Sequence, residues 1–184
     1  MKLIKYSITN RTEKKKNNKF TTNGETLYYE YGRYDTTDGT RGRVRKVTIP
    51  NIKWDGKGII SEIELNKVLS FLSKKSGQNR NITAAYVETN HLDKMIQYAK
   101  EKYVESNPNA VDKIVKTKYS KDREPYKINS NNCATFAMDV IRADENISRF
   151  SMIRPMADNI VSEFIEENYK EIFYNSKTNT TTIK

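Results

Sequence analysis

Asn129-Ser130-Asn131-Asn132-Cys133-Ala134-Thr135-Phe136-Ala137 is the stretch on which the reading of this chain turns. Four residues whose short polar side chains satisfy the exposed N–H groups of a helix start stand in front of Cys133. Behind it, Phe136, Ala137, Val140 and Ile141 recur at helical spacing. The pattern predicts a helix that opens at Cys133 and lays an apolar stripe on a core. A thiol in the first turn of a helix lies in the partial positive charge of unpaired N–H groups. That position is expected to lower its pKa and make it a nucleophile. The alternative is plain burial, since Cys is among the most buried residue types and shares its face with Phe136 and Val140.

Composition narrows the chemistry around that thiol. The chain has 184 residues with one Cys, one His and one Trp. This length fits one domain, and an internal disulfide or a finger-type zinc site is excluded by arithmetic. No cofactor and no metal are expected, because no Gly-rich phosphate loop or paired-carboxylate signature is present. A Cys/His nucleophile pair is still available, with a single candidate for each role: Cys133 and His91. The net charge of +10 describes a surface that suits an anionic envelope, an acidic partner protein or nucleic acid. No run approaches the ~20 apolar residues of a membrane span. The beginning of the chain carries no ordinary secretory signal. The expectation is a protein that stays in the cytoplasm, one that leaves by a route needing no such signal, or an excised domain.

Outward from the Cys133 segment, the chain reads as α+β. Leu3 to Ile8 has a strand pattern, Glu13 to Lys19 a basic exposed loop. Asn23-Gly24 between Phe20 and Leu27-Tyr28-Tyr29 signals a hairpin, because a type I′ turn needs φ > 0 at both centre positions. Tyr29 to Tyr34 and Arg43 to Ile49 continue as strands. Ser61 with Glu64 forms a capping box ahead of the stripe Ile63, Val68, Leu69 and Leu72, closed at Gly77. Ile82 to Glu88 is a strand. Asn90 caps a helix with Leu92, Met95, Ile96, Ala99 and Tyr103 at helical spacing. Pro155 reads as a first-turn proline before Met156, Ile160, Val161, Phe164 and Ile165. Glu171 to Tyr174 and Thr180 to Ile183 are a terminal hairpin or, over 175–184, a frayed tail.

Asn132-Cys133-Ala134-Thr135-Phe136, after Tyr126-Lys127-Ile128, resembles the nucleophile segment of papain-like cysteine hydrolases of the circularly permuted group. That group contains relatives of NlpC-type cell-wall peptidases and lecithin:retinol acyltransferase-like proteins, and it supplies toxin domains to polymorphic and type VI secretion effectors. Tyr31-Gly32-Arg33-Tyr34, and Ile153-Arg154-Pro155 leading into a helix, look like the same group. The resemblance spans residues 18 to 165. It implies a single papain-like domain, an antiparallel hairpin region packed on several helices, and a Cys thiolate acting on an amide or ester. The substrate it implies is peptidoglycan or protein, and an immunity protein is the implied partner. The group's catalytic His precedes the hairpin in a His-x-aromatic setting. Asn18-Lys19-Phe20 is the match, so Asn18 holds the His position. An amide does not titrate in water, so the site is either inactive by nature or inactivated by substitution, unless His91 serves as base. Asp35, Asn90 and Asp139 are equal candidates for the orienting third residue.

Two other functions stay open on the sequence. One is a non-catalytic papain-like scaffold that binds a partner through a basic face. The other is a small nucleic-acid-binding protein using Lys14–Lys16, the strand residues Arg41, Arg43 and Arg45, and Lys116, Lys118, Lys121 and Arg123. No recognisable nucleic-acid motif accompanies these runs, and nucleic acid is the less favoured partner.

Overall fold

The computed structural model describes residues 6–9, 13–16, 19–22, 26–34, 41–52, 61–89, 91–106, 125–147 and 156–184. Eight strands and four helices lie in these segments. They are β1 (Tyr6–Thr9), β2 (Glu13–Lys16), β3 (Lys19–Thr22), β4 (Thr26–Gly32) and β5 (Arg43–Lys46), then α1 (Glu62–Lys75), β6 (Ile82–Tyr86), α2 (Leu92–Ser106), α3 (Cys133–Arg142), α4 (Ala157–Glu166), β7 (Lys170–Asn175) and β8 (Thr180–Ile183). The protein is α+β, with all strand pairing antiparallel.

β4 organises the first sheet, lying between β1 and β5. Its residues alternate between two cores, because successive side chains of a strand point to opposite faces. Leu27 and Tyr29 pack with Val44, Met95, Ile96, Ala99, Ala134, Met138, Ile160 and Phe164, and Tyr31 lies at the margin of this cluster. Tyr28 packs the other way, with Ile49, Ile52, Leu65, Val68, Leu72, Ile82 and Tyr174. The strand is therefore buried on both sides over Thr26 to Tyr29. α2 and α3 cover its first face. The second sheet, β6-β7-β8, is covered by α1 and α4.

Helix termini follow their local chemistry. Ser61 Oγ accepts from the Glu64 N–H at 3.3 Å and opens α1. Leu65, Val68, Leu69 and Leu72 are its buried stripe, while Ile63 is 73% exposed and lies off it. The chain leaves α1 through Ser76 and Gly77, whose N–H groups donate to Leu72 O.

Three expectations for the strands change. Asn23-Gly24 lies outside the described residues, and the strands on either side of it do not pair as a hairpin: β3 pairs with β2, and β4 has both edges occupied by β1 and β5. Glu13 to Lys16 is not a loop but a strand, in register Glu13↔Thr22 to Lys16↔Lys19; backbone groups make that ladder, and apolar alternation is not required for it. The strand cations do not form a solvent face either. Arg43 is 2% exposed and Arg45 is ion-paired to Glu30. Leu3, Ile4, Asn90, Pro155 and residues 110–124 lie outside the described residues. Of the two terminal readings, the hairpin forms: β8 pairs with β7, and β7 is the centre of its sheet. Among the described residues no helix is long and apolar enough to cross a membrane.

Candidate active site around Cys133

α3 begins at Cys133 because Asn132 stops the chain in an extended conformation, φ −136° and ψ −174°, and then caps it. Asn132 Oδ1 accepts from the N–H groups of Ala134 at 2.7 Å and Thr135 at 3.1 Å. Thr135 Oγ1 accepts in return from the Asn132 N–H at 2.8 Å. The two residues satisfy each other's orphan donors, as a capping box does. The approach to the helix is a tight turn. Lys127 N–H donates to Asn131 O at 2.9 Å, and Asn131 N–H donates back to Lys127 O at 2.9 Å. Asn132 Nδ2 donates to Ile128 O, and Asn131 Nδ2 to Pro125 O at 3.0 Å. Pro125 bridges to Arg41, so this turn is tied to the segment entering β5.

Aromatic rings gather beside the start of α3. Tyr31, on β4, stacks on Tyr126 with ring centroids 5.8 Å apart and lies 5.9 Å from Phe136 in the first turn of α3. Gly42 allows this. A Cβ at position 42 would fall inside the Tyr31 phenol, so only glycine leaves the ring its place. The Arg33 guanidinium stands 5.4 Å from the Tyr126 ring centre on an exposed residue.

A second group of side chains gathers on the β4–β5 sheet, where Tyr34 feels the Cys133 charge. Arg45 lies 3.5 Å above the centre of the Tyr34 ring. Arg45 Nε donates to Glu30 Oε1 at 3.0 Å, its Nη2 donates to the same oxygen, and Tyr28 Oη donates to Glu30 Oε2 at 2.9 Å. Burial works against the Arg45 charge, but the Glu30 hydrogen bonds and charge outweigh it and hold the guanidinium above its ordinary pKa. Burial, reinforced by Glu30, pushes both Tyr28 and Tyr34 far above the usual phenol value, and the charge of Cys133 adds to the shift of Tyr34.

The thiol itself does not follow the expectation from its helix position. Burial is the largest influence and raises its pKa. The Tyr126 hydroxyl and the N–H groups of Ala134 and Cys133 pull it down, and burial prevails. The Ala134 N–H is shared, since it also serves Asn132 Oδ1. Cys133 is half-buried, neither core nor free surface. A half-buried sulfur at the start of a capped helix can attack a carbonyl once a base takes its proton. Without that base it rests as a neutral thiol.

The sequence candidates separate in space. The His91 N–H donates to Thr89 Oγ1 at 2.9 Å, and the Thr89 hydroxyl donates to the Asp144 carboxylate. Asp144 follows the C-terminal end of α3 and feels the His91 charge. At about 1.5 Å per helical residue, this places His91 about 15 Å along α3 from Cys133, so the structure does not bring the pair together. Asp139 lies midway along α3, 3.6 Å from Arg142. Asn18, Asp35 and Asn90 lie outside the described residues. The cluster of Tyr34, Arg45 and Glu30 was not anticipated. The one signal for it was Tyr31-Gly32-Arg33-Tyr34, quoted above as a motif. Among the described residues no group of three His, Cys, Asp or Glu side chains gathers as a metal would need.

No curated protein matches the chain. Among solved structures, it is similar to the crystal structure of the type VI secretion system effector TseH, with a TM-score of 0.71 and 28% identity, over 86% of this chain and 80% of that one. The family described as type VI secretion system effector TseH-like matches residues 20–148. That span runs from β3 to just beyond α3, takes in Cys133 and the rings beside the start of α3, and begins two positions after Asn18. The chain belongs to the TseH-like family of type VI secretion system effectors.

Proposed function

We propose that this effector is a cysteine hydrolase, of papain-like type, whose nucleophile is Cys133 and whose substrate is an amide or ester. The observation that carries the reading is the setting of one sulfur: the first residue of a capped helix, half-buried, at the N–H groups that open α3. As a family member the chain is a secreted effector acting in a target cell. The substrate fitting that role is a peptidoglycan or protein amide, or an ester, and the fitting partner is an immunity protein that covers the site.

In the reaction, a base takes the thiol proton and the sulfur attacks the carbonyl carbon. The oxygen then carries negative charge, and backbone N–H groups at the start of α3 are the donors for it. The leaving amine or alcohol takes the proton, and water releases the acid. The base position is residue 18, and Asn18 cannot accept a proton. With burial holding the thiol protonated, the chain with Asn18 is a slow enzyme or an inert one. That combination also supports a second reading, a scaffold of the same build that binds a partner without turnover. A nucleic-acid role loses ground, because Arg43 is buried and Arg45 is committed to Glu30.

The test is hydrolysis by three chains: the sequence as it stands, Asn18→His, and Asn18→His with Cys133→Ala. Purified peptidoglycan, a denatured protein and a short-chain ester serve as substrates, with products read by mass spectrometry. Cleavage by Asn18→His that disappears with Cys133→Ala supports the hydrolase. Equal silence of all three chains on all substrates favours the binding scaffold.

A further inference from the structure

We propose that one end of the second sheet, made of the last turn of α1, the 76–81 turn and the 175–179 turn, docks on an anionic lipid bilayer through Lys74, Lys75, Arg80 and Lys177. The inference stands apart from the hydrolase reading. Its elements are seated on the core cluster of Leu72, Ile82 and Tyr174, whereas α3 is seated on the other cluster through Ala134 and Met138.

Hydrogen bonds bring the three segments together. The Asn79 N–H donates to Ser73 O at 2.9 Å and Ser73 Oγ donates to Arg80 O at 2.7 Å, which folds the first turn back on α1. Asn81 Oδ1 accepts from the Ser176 N–H at 2.9 Å and from its hydroxyl at 3.0 Å, which ties that turn to the one between β7 and β8. The strand registers agree, with Ile82 opposite Tyr174 and Asn175 opposite Thr180.

Charge is sorted along these elements. Glu62 and Glu64 stand in the first turn of α1, Glu171 near the start of β7 and Glu88 past the end of β6. Antiparallel pairing puts the last two away from the turns, and Glu62 Oε1 accepts from the Ile183 N–H at the far end of β8. Residues 74–81 and 175–179 contain no Asp or Glu. Lys74, Lys75, Arg80 and Lys177 are all exposed, and among the described residues none of them takes part in an ion pair. Lys74 and Lys75 also suit the carbonyl end of α1; Arg80 and Lys177 have no such service. The neighbouring amides add donors. Asn175 Oδ1 accepts from the Lys177 N–H at 2.9 Å and Asn179 Oδ1 from the Tyr174 hydroxyl at 3.0 Å. With Asn81, these amide oxygens are spent inside the turns, and what the side chains have left to offer is N–H.

That chemistry selects the partner. Protein interfaces centre on apolar and aromatic anchors, and the exposed large apolar side chains, Ile63, Val104, Ile128 and Met156, lie elsewhere. Single-stranded nucleic acid stacks on aromatic rings. Here Tyr174 is buried, and Phe71 is half-buried with Lys75 Nζ 5.3 Å from its ring centre. A duplex is read by a helix or strands laid in a groove, and this surface is built of turns. A bilayer face of repeated phosphates asks only for clustered cations and N–H donors.

Flotation of the full chain with vesicles of phosphatidylglycerol and phosphatidylcholine, at about 0.15 M salt, tests the assignment, with phosphatidylcholine alone as the blank. Each cation at such a surface is worth roughly fivefold in partitioning, so Arg80→Gln with Lys177→Gln should lower it about 20-fold. Lys100→Gln with Lys170→Gln removes the same charge from exposed positions outside the surface and should change it by less than about threefold. Cys133→Ala should float as the unchanged chain does, so docking and hydrolysis fail separately. Equal losses in the two pairs, or no preference for the anionic vesicles, overturn the proposal. Stronger retention on duplex DNA than on vesicles at equal phosphate, lost in the Arg80/Lys177 pair, assigns the surface to nucleic acid and overturns it too. Should that pair not fold, Lys74→Gln with Lys75→Gln carries the test with the same expected loss, and unchanged partitioning overturns the proposal.

Discussion

Cys133 and Asp144 stand at opposite ends of the same helix, the thiol at its capped start and the buried carboxylate just past its last turn. At the start of that helix, Phe136 packs with Tyr31 of β4, which stacks on Tyr126. The carboxylate is held by Thr89 and Asn146 and faces His91. His91, the chain's one histidine, thus lies toward the Asp144 end of α3.

Asp144 gives α3 an acid-sensitive end. Burial alone would raise its pKa, but the Thr89 hydroxyl, the Asn146 N–H and amide, and the His91 charge outweigh burial and hold it below the usual carboxylate value. The sign follows: the folded pKa lies below the unfolded one, so the stabilisation is complete above the ordinary carboxylate range. It is lost as pH falls through the folded pKa, below about pH 4. Thermal melts from pH 7 to pH 3 should show this loss, and Asp144→Asn should flatten it while lowering the melting temperature at pH 7. His91→Ala should leave the pH profile of Cys133 alkylation by iodoacetamide unchanged.

Asn132 holds both the helix and the thiol. Asn132→Ala removes an acceptor for two N–H groups and a donor to Ile128 O. A loss of about 1–2 kcal/mol is expected in denaturant unfolding. Asn132→Asp keeps the acceptor and adds a negative charge beside the sulfur. It should restore part of the stability and raise the alkylation midpoint.

Gly42 is where the backbone makes room for the site. Gly42→Ala places a methyl group where the Tyr31 ring lies. Overpacking of this kind costs about 1–3 kcal/mol. Displacement of Tyr31 also releases Tyr126, so lower stability should be accompanied by a changed Cys133 alkylation profile. A melt and a profile both unchanged would show that the ring has another place to go.

What could be read from the chain alone was local. Ser61 and Asn132 announce α1 and α3 because an N-cap acts within three residues of itself. β4 announces itself by Leu27, Tyr28 and Tyr29, but not that it would take β1 and β5 as neighbours and leave β3 to β2. Pairing partners are chosen by tertiary contacts, and Asn23-Gly24 carries no knowledge of them. The thiol shows the same limit. Its helix position was legible, and the expected fall in pKa was not realised, because burial of the thiol is a property of the assembled fold. Arg45 and Glu30 read as ordinary strand charges until β4 and β5 lie side by side, in register Glu30↔Arg45.

Alkylation of Cys133 against pH in Asn18→His, beside the unchanged chain, decides whether residue 18 is the place of the missing base. An imidazole that reaches the sulfur forms a thiolate–imidazolium pair, and such pairs lower a thiol pKa by several units. The expected result is a midpoint that drops by about two units or more, with Cys133 reacting readily near pH 6. A midpoint identical to that of the Asn18 chain would contradict the assignment of residue 18 as the base position of a Cys133 hydrolase.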